Sequence, residues 1–148
     1  MKTRVLKTAV GLAAVLGGLL VASPAQATDG LVSARVYSGS SGGGGIAQAY
    51  LDFTSRTRVV HSNVTVRDVC PDDNLPVRAY IKVVLINGTT QTRYVGADTN
   101  GCGPDGINLG DFVTTGSAPI AKAGVRVCVY NPTRDLKCAE AFRDNPYA

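Results

Sequence analysis

Residues 70–102, CPDDNLPVRAYIKVVLINGTTQTRYVGADTNGC, hold two runs of strand-forming side chains separated by Asn87-Gly88. Asn-Gly between alternating apolar runs is a hairpin signal, because a two-residue turn of this type needs positive φ at both central positions. With Asn87 and Gly88 central, cross-strand partners sum to 175, and Cys70 plus Cys102 sum to 172. A Cys70–Cys102 disulfide therefore closes the open mouth of the hairpin. The same register sets Lys82 opposite Arg93, an unfavourable like-charge pair that a one-residue bulge would relieve, so the register stays open.

Outward from this hairpin the pattern stays β. Residues 31–37 read as a short first strand. Ala47, Ala49, Leu51 and Phe53 alternate with Gln48, Tyr50 and Asp52, giving one dry and one wet face. Over residues 59–69, Val60, Val64 and Val66 are expected on one side and His61, Asn63, Thr65 and Arg67 on the other. Val77, Ala79, Ile81, Val83 and Leu85 form the inner face of the first hairpin strand. Residues 107–115 return as a strand, and 124–130 with 136–142 flank the turn Asn131-Pro132-Thr133-Arg134-Asp135. Pairing Cys128 with Cys138 in this last hairpin also sets Arg126 opposite Glu140, a complementary pair that the assignment did not assume. About eight strands without an amphipathic helix predict an all-β antiparallel sandwich, immunoglobulin-like or jelly-roll-like, with two disulfides local to hairpins.

The opening MKTRVLKTAVGLAAVLGGLLVASPAQA reads as a secretory signal peptide, with Lys2, Arg4 and Lys7 before an apolar core and Ala25-Gln26-Ala27 as the cleavage site. Its apolar run from Ala9 to Ala22 is 14 residues, short of the roughly 20 that span a bilayer. No Arg-Arg pair precedes it, which favours the general secretory route, and no cysteine near the cleavage site offers a lipid anchor. The expected organisation is 1–27 signal, 28–45 a Gly/Ser-rich segment and 46–148 one sandwich domain. The chain has 15 Lys plus Arg and 11 Asp plus Glu; three cations belong to the signal, leaving 12 against 11, or +1. That near-neutral balance argues against nucleic acid as a partner. Four cysteines in an exported chain predict two bridges.

Candidate chemistry is sparse. His61 is the sole histidine, and a catalytic triad or zinc site would have to use it; it is expected on a solvated strand face. Gly39-x-Ser41-x-Gly43 matches a nucleophile elbow only inside a low-complexity run. Asp68, Asp72 and Asp73 flank Cys70, while Asp98, Asn100 and Asp105 flank Cys102. A bridge would gather these oxygens, so they are candidates for a calcium site, set against the ordinary use of Asp and Asn to cap turns. Neither Asn63-Val64-Thr65 nor Asn87-Gly88-Thr89 is expected to be glycosylated, because the signal looks bacterial. No other metal and no cofactor is expected.

The signal ending Ala25-Gln26-Ala27, the β-rich body and Cys70, Cys102, Cys128 and Cys138 together resemble the small secreted two-disulfide proteins of high-GC actinobacteria, a group that implies no particular activity. The reactive-loop cysteine pattern of secreted subtilisin inhibitors is not matched. The function expected is non-enzymatic binding of an extracellular protein or cell-surface component, free of the membrane after cleavage. The alternative is an inhibitor of an extracellular protease presenting residues 131–135 or the loop from Pro71 to Pro76. A small hydrolase working through His61 is a distant third.

Overall fold

The computed structural model describes residues 29–40, 42–71, 75–130 and 136–148. The expected signal segment, Ser41 of the elbow-like run, Asp72, Asp73 and the 131–135 turn lie outside the described residues. Eight strands follow in order: β1 (Gly30–Tyr37), β2 (Gly44–Ser55), β3 (Arg58–Val69), β4 (Val77–Leu85), β5 (Thr90–Asp98), β6 (Ile107–Thr115), β7 (Ile120–Tyr130) and β8 (Leu136–Asp144). They form two antiparallel sheets, A with order β1-β2-β3-β6 and B with order β5-β4-β7-β8. The chain crosses from A to B after β3, returns with β6, and crosses again to β7. Without β1, this is the Greek-key connectivity of immunoglobulin-like sandwiches rather than a jelly roll.

The core is the sum of the inward-facing alternate residues. Ala47, Ala49, Leu51 and Phe53 of β2 meet Val77, Ala79, Ile81, Val83 and Leu85 of β4 and Val125 and Val127 of β7, all buried. The domain starts earlier than expected. β1 pairs along its whole length with β2, from Gly30 opposite Leu51 to Tyr37 opposite Gly44, so the sandwich begins at Gly30 and not at 46. Gly44 and Gly45 belong to β2 rather than to a linker. A Cβ on Gly45 would collide with Val77 of the facing sheet, so the glycine marks a close approach of the sheets.

Both bridges form as expected, Cys70–Cys102 and Cys128–Cys138. The second joins directly opposed residues of β7 and β8, and Arg126 faces Glu140 in the same register. The first is less local than the hairpin reading implied. Cys70 follows β3 and Cys102 lies between β5 and β6, so the bridge ties together two of the three connections through which the chain changes sheets.

The central hairpin keeps its strands but corrects its turn. Leu85 N donates to Thr89 O at 2.8 Å and Gly88 N to Leu85 O at 2.9 Å. Gly88 has φ 82 whereas Asn87 is not in the positive-φ region. The central pair is therefore Ile86-Asn87 followed by a left-handed glycine, a three-residue loop. Partners sum to 174 near the turn, which sets Lys82 opposite Thr92, and to 175 beyond a bulge at Ala79/Tyr80. The like-charge pair does not form.

His61 is a second correction. Register shifts lie between His61 and Val64 on the β6 side and opposite Gln48/Tyr50 on the β2 side. Asn63 sits at φ 50, and its N–H donates to Asp111 Oδ1 at 2.7 Å. This extra residue inverts the alternation of β3, so Val59 and His61 face inward before it and Val64 and Val66 after it. His61 is fully buried, not solvated.

Candidate binding surface

The outward-facing residues of sheet B combine cationic and aromatic side chains. Alternation along β4 puts Arg78, Tyr80 and Lys82 outside, since Val77, Ala79, Ile81 and Val83 face the core. β7 runs antiparallel beside it, with Arg78 opposite Cys128, Tyr80 opposite Arg126, Lys82 opposite Gly124 and Val84 opposite Lys122. β8 then brings Glu140 against Arg126 and Phe142 against Gly124.

Each of the four cations lies over an aromatic ring. The guanidinium of Arg78 is 4.8 Å from the Tyr130 centroid and that of Arg126 is 5.9 Å from Tyr80. The ammonium groups of Lys122 and Lys82 stand 4.8 and 5.7 Å from Phe142. Tyr80 meets Tyr94 of β5 edge-on at 5.4 Å. Such stacking holds long cationic side chains in place without neutralising them. Glu140 is the acid within the array: Lys82 Nζ donates to both its oxygens at 2.7 and 2.9 Å, and Arg126 Nη1 is 3.7 Å away. Arg126 Nη2 also reaches Cys138 Sγ at 3.1 Å. Arg78 Nη1 and Arg126 Nε have no hydrogen-bond partner among the described residues, so the array holds more donors than its own acceptors use.

Sheet A presents a different face. Ser33, Gln48, Thr65 and Asn108 form a polar row across all four strands, and Gln48 Nε2 donates to Ser33 Oγ at 3.2 Å. A groove of about 280 Å³ runs beside Gln48, Thr65 and Asn108, closed at one end by Arg67 Nη1 donating to Pro104 O at 3.2 Å. A second cleft, about 230 Å³, opens between the edges of β5 and β6 and is lined by Ile81, Val83, Arg93 and Thr114. Arg93 lies over Phe112 there, 5.2 Å from the ring centroid.

The expected calcium oxygens are only partly brought together. Asp98 is buried and works as a turn cap: its Oδ2 accepts the Asp68 N–H at 2.9 Å and its Oδ1 the Asn100 N–H at 3.3 Å. With its amide nitrogen turned toward it, Asn100 also donates to Asp98 Oδ1 and to Gly101 O. This is the ordinary use of Asp to cap a turn. Asp68 is buried and Asp105 exposed. Among the described residues no three acidic, histidine or cysteine groups are placed to hold a metal ion.

Burial pushes the His61 pKa from 6.5 down to about 4, partly offset by the Gly124 backbone. Neither ring nitrogen reaches hydrogen-bond geometry with a described partner, so the approach to Gly124 is a weak polar contact rather than a formed bond. The ring is a neutral core residue beyond the reach of a substrate.

Arg78, Lys82, Lys122 and Arg126 were not candidates from sequence. Period-two alternation places each on an outer face, but only the β4–β7 pairing, between strands far apart in the chain, puts them side by side. No protein-family model, curated protein or solved structure matches the chain.

Proposed function

We propose that this is an exported, non-enzymatic binding protein whose contact surface is the outer face of sheet B. The observation that carries the reading is the array of four cations, each seated on an aromatic ring, of which only Lys82 and Arg126 are paired with a carboxylate, that of Glu140. Rigidly held cations and tyrosines are what binding surfaces concentrate, because little side-chain entropy remains to be lost on contact. Two supports come from elsewhere in the chain. The first 27 residues have the layout of a secretory signal, and the two disulfides suit an oxidising extracellular setting. The burial of His61 takes away the residue on which the hydrolytic alternative relied. The loops considered for protease inhibition, 131–135 and the tip of 71–76, lie outside the described residues, and no observation favours that reading.

Capture from culture supernatant and cell-wall extract tests the proposal, comparing the native chain with Arg78→Gln/Lys122→Gln. Retention of a component by the native chain and its loss from the variant is the expected result. Equal retention by both would move the contact surface elsewhere.

A further inference from the structure

The four cations of sheet B are not scattered. Take the level of each residue along β4 as the axis. Arg78 stands at its own level, Arg126 at that of Tyr80, Lys82 at its own, and Lys122 at that of Val84. Successive cations are thus two residues apart along the sheet and alternate between β4 and β7. At about 3.4 Å per residue the step is about 7 Å and the stripe about 20 Å long. From this spacing we infer that the stripe binds a linear, base-free phosphodiester polymer with a short repeat, of the alditol-phosphate type. The inference rests on the binding surface proposed above and names its ligand.

Three features select this chemistry. First, a three-carbon phosphodiester places six single bonds of about 1.5 Å between neighbouring phosphorus atoms, an extended repeat of about 7 Å that matches the stripe. Second, the faces of Tyr130, Tyr80 and Phe142 are already covered by Arg78, Arg126, Lys82 and Lys122. Rings so engaged, with Tyr94 of β5 the one exposed and uncovered ring beside them among the described residues, offer no series of stacking platforms of the kind that single-stranded nucleic acids use. Third, the stripe crosses the face of a sheet, where β4 and β7 have their main-chain groups paired on both sides. An acidic peptide would gain no main-chain ladder there to offset the cost of ordering it. A polyanion needs only its charges in register, and its binding is driven by release of counterions.

Glu140 gives the proposal a test of sign. It sits beside the stripe on β8 and neutralises part of Lys82 and Arg126. Glu140→Gln therefore tightens polyanion binding, whereas loss of a cation weakens it.

The test is titration of the intact chain with a synthetic glycerol-phosphate oligomer of ten units, with decathymidylate and decaglutamate as parallel probes. Binding of the glycerol-phosphate oligomer is expected at 50 mM salt, with log K falling against log salt at a slope of about −2 to −3 for three to four neutralised phosphates. Lys122→Gln lowers that slope by about 0.7, and Arg78→Gln/Lys122→Gln weakens binding about tenfold or more. Glu140→Gln shifts affinity the other way, and melting temperatures check that each variant folds. Absence of binding at 50 mM salt, equal binding by the double variant, or tighter binding of decaglutamate or decathymidylate would overturn the inference. If the oligomer fails while capture from wall extract still depends on Arg78 and Lys122, the ligand class falls and the surface stands. If capture is indifferent to them as well, both fall.

Discussion

At the scale of single residues, His61 has the clearest consequence. Its folded-state pKa is lowered from 6.5 to about 4 by burial, so the folded chain resists a proton that the unfolded chain accepts. The stability tied to the neutral ring is complete above pH 6.5 and is lost as pH falls through the window to 4. At about 1.4 kcal/mol per unit, the loss approaches about 3 kcal/mol at the lower end. Lowering the pH acts on more than one group, so the informative quantity is a difference. His61→Leu should hold its urea midpoint better than the native chain across pH 6.5 to 4. At pH 7 it should be no less stable, because it leaves no buried donor without a partner. Parallel midpoint curves for the two proteins would show that the histidine does not titrate as its burial requires. Nothing local in the sequence announced this residue as buried. Strict alternation counted back from Val64 and Val66 puts it outside, and the extra residue at Asn63 reverses the count.

Elements were legible where partners are neighbours in the chain. The β7–β8 register followed from one cysteine pair and was checked by Arg126 opposite Glu140. The β4–β5 register stays open from sequence alone, since a glycine in the left-handed region serves a three-residue loop as well as a two-residue one. What alternation cannot supply is the pairing of distant strands. The β4–β7 neighbourhood, and with it the cationic stripe, depended on two crossovers whose direction no local signal records. Within that neighbourhood Gly124 has a specific task. It lies opposite Phe142, and a Cβ there would meet the Ala141 carbonyl and the Phe142 ring. The glycine lets the ring lie over β7, where Lys82 and Lys122 approach it. Gly124→Ala should cost about 1–3 kcal/mol through overpacking, read from denaturant midpoints, and should weaken any ligand that depends on those two lysines. An unchanged midpoint would mean that the ring has room to move.

For the whole molecule, fold class was legible because strand count, turn residues and the even cysteine number agreed, whereas the site was not, because a net charge near zero concealed its uneven distribution. Four of the twelve cations after residue 27 lie on one sheet face, and only the assembled sandwich separates them from the acids around the crossover loops. The Cys70–Cys102 bridge belongs to this scale. It spans a separation of 32 residues and fastens the first two of the three connections that carry the chain between sheets. Cys70→Ala/Cys102→Ala should lower stability by up to about 4 kcal/mol in the loop-closure model. Cys128→Ala/Cys138→Ala, with a separation of 10, should cost up to about 3 kcal/mol in the same model. Equal losses measured by urea unfolding would argue that strain or residual structure, and not loop length, sets their worth.

The seam between β1 and β8 is closed by Arg143, whose Nε donates to Leu31 O at 2.9 Å and whose guanidinium lies against Gly30. Asp29 caps the adjacent end of β2 by accepting the Phe53 N–H at 2.8 Å, and Asn145 N donates to Ala121 O beside it at 2.9 Å. Entry and exit of the described chain therefore meet at one pole, away from the bridged crossover loops. A circular permutant follows from that meeting. Joining Ala148 to Asp29 through a short Gly/Ser linker and reopening the chain between Asn87 and Gly88, where both residues are exposed, should give a protein with the same two disulfides and a cooperative melt. Its new ends would emerge from the β4–β5 turn, and a scrambled disulfide pattern in the permutant would show that the native order of synthesis is needed to form the right pairs.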